Sequence, residues 1–204
     1  FSGGGLLITF NFDAIPAERW DSVKPDFEKI LASFSMTPEA QKDAASQVRA
    51  LTAKGEVAGN IYSNDELGCQ IAAPRDWTLK TTSLGSQFKF TVDINPPEGE
   101  SMVRFLAVDT QGEGTLEQFI KGDMNALKMI SKDTELGEVQ DLQLSGYPAK
   151  LHISRFSIEG FGNIKRKAVY VLVKNILYCI VCDAKPAADF DSLLTRFDEV
   201  IQSF

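Results

Sequence analysis

The sequence predicts an α+β fold in which an antiparallel β-sheet is flanked by helices. From about residue 60 onward, short strands with alternating apolar side chains are grouped into hairpins by polar turns. Two amphipathic helices interrupt this series, one near its middle and one at its end. Strands in hairpins with inserted helices bury their apolar faces when the helices pack onto the sheet, which favours this fold class.

A repeat of one strand–loop–helix unit is the third observation. Leu6–Phe34 aligns with Ile176–Phe204 over 29 positions without a gap, and ten positions are identical. A unit that closes one domain therefore also opens the chain. The identical pairs are Leu7/Leu177, Asp13/Asp183, Ala14/Ala184, Pro16/Pro186, Ala17/Ala187, Asp21/Asp191, Ser22/Ser192, Phe27/Phe197, Ser33/Ser203 and Phe34/Phe204.

The opening copy predicts a strand at Gly5–Phe12 and, after a turn that contains Pro, a helix that ends near Phe34. A further helix follows, with Thr37 as its N-cap, Pro38 in its first turn and Gly55 after its end. This second helix is rich in alanine and only weakly amphipathic, which is typical of a linker that lies on a surface.

Residues 60–204 have the pattern of one complete domain. Thr115 and Gln118 form a capping box that opens a helix running to about Ser131. The predicted strands are Asn60–Ser63, Leu67–Ala73, Gln87–Ile94, Met102–Asp109, Asp141–Leu144, Ala149–Ile158, Lys165–Val173 and Ile176–Cys182. The chain is thus divided into a strand–helix unit at 1–34, a linker helix at 35–59 and a complete domain at 60–204.

The composition excludes some classes of partner. The 204 residues are 44% hydrophobic and 24% charged, as in a globular protein with a core. The net charge of -7 argues against nucleic acid and anionic membranes, because both bind clustered Lys and Arg. No apolar run approaches the ~18 residues of a membrane span, and the first residues lack the basic region of a signal peptide. Since residue 1 is not Met, the sequence leaves open whether further residues precede Phe1.

Residues 60–204 resemble the Mog1/PsbP-like α/β/α sandwich, a group that includes bacterial DcrB-like envelope proteins. The residues that carry the resemblance are Tyr62–Gly68, Ala73–Trp77, Leu116–Phe119, Ser145–Ala149 and Ile201–Phe204. The resemblance implies non-enzymatic work. Members serve as extrinsic subunits of photosystem II, as partners of a small GTPase or as envelope proteins, and they share no catalytic motif. Leu6–Phe34 resembles the closing strand and helix of the same fold, as a second, partial copy.

No catalytic, cofactor-binding or metal-binding residue is predicted. His152, the one histidine, lies in an alternating strand, and no nucleophile motif accompanies it, so we interpret it as solvent-facing or hydrogen-bonded. Cys179 and Cys182 stand three apart in an apolar strand and therefore point to opposite faces, which predicts buried, inert thiols. Gly112–Gly114 lacks the Lys of a phosphate loop and is interpreted as a strand-to-helix turn.

A group of oxygen ligands lies around the Pro96-Pro97 turn. Asp93, Asn95, Glu98 and Glu100 could gather Ca²⁺, but the spacing is not that of an EF-hand and the prolines stiffen the loop. An acidic, solvated turn is the preferred interpretation, and a weak Ca²⁺ site stays open.

Four aromatic side chains form the candidate interface, namely Trp77, Tyr147, Phe156 and Phe161. Trp77 follows a Pro-containing turn, and the other three lie near Gly-containing turns. Aromatic residues at loop edges can anchor protein partners, although such residues fill cores more often.

The leading functional hypothesis is a non-catalytic protein-interaction or assembly module of the bacterial cell envelope. It would be extracytoplasmic, with a lipid anchor upstream of Phe1 as an option, and it would bind a protein; a homodimer through residues 1–34 is a further option. The alternatives are a hydrolase or isomerase with a dispersed acidic cleft and a small-GTPase-binding partner of the Mog1 type. A deep cavity that gathers carboxylates with shifted pKa values would favour the enzyme, and a shallow apolar surface would favour the binder.

Overall fold

The structure is a computed structural model, and it describes residues 2–3, 6–7, 24–25, 28–29, 55–82 and 88–204. The chain divides into two compact units, Phe1–Leu51 and Thr52–Phe204. In the first unit, strands β1 (Ser2–Gly3) and β2 (Leu6–Leu7) form an antiparallel pair, and residues 24–25 and 28–29 are helical. The predicted strand beyond Leu7, the rest of the first helix and the predicted linker helix lie outside the described residues.

The second unit begins with a small antiparallel sheet of three strands. These are β3 (Glu56–Ala58), β4 (Ile61–Asn64) and β5 (Cys69–Ala72). The predicted hairpin near Asn60–Ala73 is confirmed. The third strand, β3, falls in the segment 35–59 that the sequence assigned to the linker. The globular unit therefore begins earlier than residue 60, because Val57 pairs with Tyr62 across the hairpin.

A large antiparallel sheet of eight strands forms the centre of the second unit and confirms the predicted fold class. Its strands are β6 (Thr78–Thr82), β7 (Phe88–Asn95), β8 (Met102–Asp109), β9 (Glu135–Leu136), β10 (Gln140–Leu144), β11 (Tyr147–Ile158), β12 (Gly162–Val173) and β13 (Ile176–Ala184). Their order in space is β10-β11-β12-β13-β8-β7-β6, and β9 pairs with β11. The sequence did not predict β6 and β9, because neither has an alternating apolar pattern.

Two helices pack on the large sheet. Helix α1 (Leu116–Ile130) opens with the predicted capping box: the Thr115 hydroxyl accepts from the Gln118 backbone at 3.3 Å, and the Gln118 side chain accepts from the Thr115 backbone at 2.8 Å. Ile120 and Leu127 of this helix are buried, whereas Ile130 at its end is 58% exposed. Helix α2 (Phe190–Gln202) closes the chain. No helix in the described part of the chain is long and apolar enough to cross a membrane.

The two faces of the large sheet carry separate cores. Phe105 and Ile180 on one face are buried with Phe197 of α2 and with side chains of the small sheet. Tyr170 and Cys179 on the other face are buried with Ile120 of α1. Phe197 has no exposed surface, which confirms that the closing helix packs on a sheet. Phe27, the counterpart of Phe197 in the first copy, lies outside the described residues.

Candidate functional site: a groove beside an edge strand

Two of the four predicted interface aromatics lie in the core instead. Trp77 is 6% exposed, and its ring meets Phe197 edge-on with 6.2 Å between the ring centroids. Phe156 is 2% exposed and lies under the Arg166 guanidinium, 5.1 Å from the centroid of the ring. Their prediction as surface anchors was wrong, because the position of a side chain beside a turn does not decide whether it points to solvent or to the core.

Tyr147 and Phe161 are the exposed members of the predicted set, at 45% and 63%. Tyr147 begins β11, and Phe161 lies in the turn after the end of this 12-residue strand. At about 3.3 Å per residue, the two side chains stand on the order of 35 Å apart. They cannot belong to one compact binding surface, and the interface role of each stays a prediction.

An open groove runs between α1 and β10, at one edge of the large sheet. One part has a volume of about 250 Å³ and another part about 360 Å³. Glu117, Asp141 and Lys150 line both parts and so mark the middle of the groove. The apolar lining consists of Ile120, Met124 and Val139 in the smaller part and of Leu116, Pro148, Ala149 and Leu172 in the larger part.

Lys150 forms ion pairs with the two carboxylates in the middle of the groove. The strand pairing places it directly opposite Asp141, and its Nζ donates to Asp141 Oδ1 at 2.6 Å and lies 3.4 Å from Glu117 Oε1. The hydrogen bond to Asp141 raises the pKa of Lys150, and a hydrogen bond from its own backbone amide lowers the pKa of Glu117. Both groups therefore stay charged around neutral pH.

The outer side of the groove is an open strand edge with apolar neighbours. Within residues 55–82 and 88–204, β10 pairs with β11 alone. Val139, directly before β10, lines the groove and is 41% exposed. An unpaired strand edge beside an apolar groove is the geometry in which a partner adds an extended segment to a sheet.

Next to the groove, a polar network joins α1 to the sheet. The Tyr170 hydroxyl donates to Asp123 Oδ2 at 2.6 Å, and His152 Nε2 lies 3.2 Å from this hydroxyl. His152 is fully buried and Tyr170 is 4% exposed, whereas one third of the Asp123 side chain is exposed. Of the two alternatives for His152, solvent-facing or hydrogen-bonded, the structure shows the hydrogen-bonded one, because α1 covers this face of β11.

Neighbouring groups determine the ionisation states of Asp123 and Tyr170 in this network. Burial by itself would raise the pKa of Asp123, but hydrogen bonds from His152 and Tyr170 and the charge of Arg166 outweigh burial and lower the pKa. Burial and the Asp123 charge together raise the pKa of Tyr170. An ionised carboxylate therefore accepts from a neutral phenol. Among the residues that the structure describes, the buried atoms His152 Nδ1 and Ser154 Oγ have no hydrogen-bond partner.

The pKa shifts in the groove and in the adjacent network point away from neutrality. A general acid or base works best with a pKa near neutrality, whereas the pKa values of Glu117 and Asp123 are lowered and that of Lys150 is raised. Cys179 and Cys182 are buried on opposite faces of β13, as predicted, and burial raises the pKa of both thiols. Among the described residues, no group of three or more His, Cys, Asp or Glu is placed to hold a metal ion.

The acidic residues around Pro96 and Pro97 do not share one environment. Asp93 lies buried in β7, where the Arg104 guanidinium binds both of its carboxylate oxygens, at 2.7 and 3.2 Å. Glu100 instead pairs with Lys185. The interpretation as one solvated turn was therefore wrong for Asp93, whose charge is already matched by an arginine. The turn at Gly112–Gly114 has φ of +80° and +83° at its two glycines and leads from β8 to α1, as predicted.

Comparison with known proteins identifies the fold. No family model and no curated protein matches the sequence. Cyanobacterial PsbP from Synechocystis has a TM-score of 0.52 and 14% identity, over 74% of this chain and 95% of its own. Protein PA94 of unknown function from Pseudomonas aeruginosa has a TM-score of 0.46 and 16% identity, over 71% of this chain and 94% of its own. The likeness to PsbP shows a PsbP-like α+β fold, and at this identity it extends to the fold alone.

Proposed function

We propose that residues 52–204 are a non-catalytic protein-binding module, which takes an extended segment of a partner protein along β10. The observation that carries this proposal is the open edge of β10 beside an apolar groove. Backbone hydrogen bonds to the strand would supply affinity, and side chains of the partner that enter the groove would supply specificity.

The lining of the groove indicates the chemistry of the partner segment. Ile120, Met124 and Val139 offer an apolar wall, so an aliphatic or aromatic side chain of the partner is expected there. The charged lining consists of Glu117, Asp141, Lys121 and Lys150, two charges of each sign. A polar, uncharged residue of the partner is therefore favoured in the middle of the groove.

An enzyme with a dispersed acidic cleft is the alternative in another class. The groove does contain two carboxylates, Glu117 and Asp141, but Lys150 pairs with both of them. The pKa shifts at Glu117 and Lys150 point away from neutrality, which supports the binding module over acid–base chemistry. Among protein partners, a small GTPase of the kind that Mog1 binds remains one candidate.

Selection from a random peptide library displayed on phage tests the binding proposal. Selected peptides are expected to share an apolar residue within an alternating sequence and to slow amide hydrogen exchange at Gln140–Leu144. Val139→Asp is expected to weaken their binding by tenfold or more, because it puts a charge on the apolar wall. The matched control is Val57→Asp, since Val57 is 43% exposed and Val139 is 41% exposed. Equal binding to both variants, or protection only at other strands, would contradict the proposal.

We also propose an extracytoplasmic location, on the basis of the resemblance of residues 60–204 to envelope proteins. Fractionation of cells that produce the native protein tests this location. The protein is expected in the envelope or periplasmic fraction, and recovery from the cytosol alone would contradict it.

A further inference from the structure

The first unit reproduces the hairpin that leads into the closing strand of the second unit. Each paired residue of β1 and β2 has its counterpart 170 positions later, in β12 and β13. The equivalent pairs are Ser2↔Leu7 with Leu172↔Leu177 and Gly3↔Leu6 with Val173↔Ile176. The aligned repeat begins at Leu6, so the pairing of Ser2 and Gly3 is evidence beyond the sequence identities.

The helical residues follow the same correspondence. Residues 24–25 and 28–29 are helical, and their counterparts, residues 194–195 and 198–199, lie in α2. The two copies therefore agree in hairpin register and in the position of the helix.

Several of the identical residues are those that fix the closing unit to the rest of its domain. In the second unit they make an ion pair, a ring contact, a hydrogen bond to a strand edge and a second ring contact. These contacts are Asp183–Arg166 at 2.7 Å, Phe197–Trp77 at 6.2 Å, Ser203–Ala72 at 2.8 Å and Phe204–Phe105 at 5.5 Å. The first copy has the same residue types at Asp13, Phe27, Ser33 and Phe34. It therefore carries the contact residues for a sheet of the same kind.

The large sheet of the second unit already holds its own closing strand. β13 is paired on one side with β12 over nine residue pairs and on the other side with β8 over eight residue pairs. The contacts that the identical residues would need are likewise made by Asp183, Phe197, Ser203 and Phe204. Since β13 already occupies the place between β12 and β8, the strand and helix of the first copy need a different sheet to pack on.

We propose that residues 2–34 are the closing hairpin and helix of another domain with the same fold, which lies immediately upstream in the same polypeptide. Ser2–Gly3 corresponds to the last two residues of β12, and the remainder of a strand is covalently continuous with its end. This continuity points to an upstream segment rather than to a second copy of the chain. The sheet of the upstream domain would pair with both sides of the strand predicted at residues 6–12. It would also place a basic side chain opposite Asp13, as Arg166 lies opposite Asp183 in the second unit.

The test uses the protein as its gene encodes it, with its mature N-terminus determined by intact mass. Differential scanning calorimetry is expected to show two transitions. Phe27→Ala should lower one of them and Phe197→Ala the other, each by on the order of 10 °C, because each removes a core ring from one domain. Asp13→Asn and Asp183→Asn are milder variants of the same design, should an alanine variant fail to fold.

Hydrogen exchange in the same protein gives a second readout. Amides of residues 6–12 are expected to exchange as slowly as those of β13, since both would be central strands. A mature protein that begins near Phe1, a single transition lowered by both substitutions, or fast exchange at residues 6–12 would each overturn the proposal.

Discussion

The polar network between α1 and the large sheet offers the sharpest test of how the groove is held in place. Tyr170→Phe removes one oxygen atom, which donates to Asp123 at 2.6 Å and lies 3.2 Å from His152 Nε2. The ring itself is 4% exposed, so phenylalanine can fill the same space. The substitution therefore isolates the hydrogen bonds from the packing.

The loss of stability expected for Tyr170→Phe follows from the two groups that contact the hydroxyl, Asp123 and His152. A hydrogen bond to a charged group contributes about 1.5–3 kcal/mol, and a buried polar atom left without a partner costs a similar amount. Water can partly replace the hydroxyl at Asp123, since one third of that side chain is exposed. It cannot reach the fully buried His152, whose Nε2 would keep only Asp123 Oδ2, at the longer distance of 3.5 Å. We expect Tyr170→Phe to lower the free energy of unfolding by about 2 kcal/mol at pH 7.

The pH dependence of this effect has a definite sign. Hydrogen bonds from His152 and Tyr170 help to lower the pKa of Asp123 below the value of about 4 for an unfolded chain. A carboxyl with a lowered pKa contributes stability above its unfolded pKa and loses it as the pH falls through the folded pKa. The difference in the free energy of unfolding between wild type and Tyr170→Phe is therefore expected to have its whole value at pH 7 and to become smaller below about pH 4.

Urea unfolding followed by circular dichroism between pH 7 and pH 3 measures both quantities. Tyr147→Phe is the matched control, because it removes the same atom from a ring that is 45% exposed, and its effect is expected to stay below about 0.5 kcal/mol. Equal effects of the two substitutions, or a difference that stays constant down to pH 3, would refute the reasoning.

Three further predictions concern the core and the first unit. Cys179 and Cys182 are expected to react with a thiol reagent only after unfolding, because burial raises their pKa; rapid labelling of both in native protein would contradict this. Phe197→Ala is expected to cost about 3–5 kcal/mol in urea unfolding, against less than about 1 kcal/mol for the exposed Phe161→Ala; a similar loss for both would mean that α2 does not cover the core. Deletion of residues 1–34 is expected to leave the remainder folded with one cooperative transition, and an unfolded product would place residues 6–12 in the core of the second unit.

Much of the fold could be predicted from the sequence because its signals are local. Met102–Asp109 was predicted with the bounds that the structure shows, since an alternating strand between polar turns specifies its own ends. The capping box at Thr115 and the opposite orientation of Cys179 and Cys182 follow from spacing along a helix or a strand. β6 could not be predicted in this way, because its pairing with β7, rather than its own pattern, defines it.

The candidate site depended on tertiary structure, because its residues come from distant parts of the chain. Asp123 and Tyr170 are 47 residues apart in sequence and 2.6 Å apart in space, and no local pattern indicates such a contact. The sequence singled out aromatic residues near turns, but burial depends on what covers a side chain, and Trp77 and Phe156 turned out to be core residues.

The repeat illustrates both what the sequence could predict and what only the tertiary structure could show. Ten identities over 29 positions without a gap were sufficient to predict that one supersecondary unit occurs twice, since a shared pattern of apolar and turn residues favours the same local structure. The sequence could not show which contacts the identical residues make, because their partners lie elsewhere in the fold. Only the tertiary structure revealed the same hairpin register before both copies and the occupied place of β13 between β12 and β8, because strand pairing is a relation between segments rather than a property of either one.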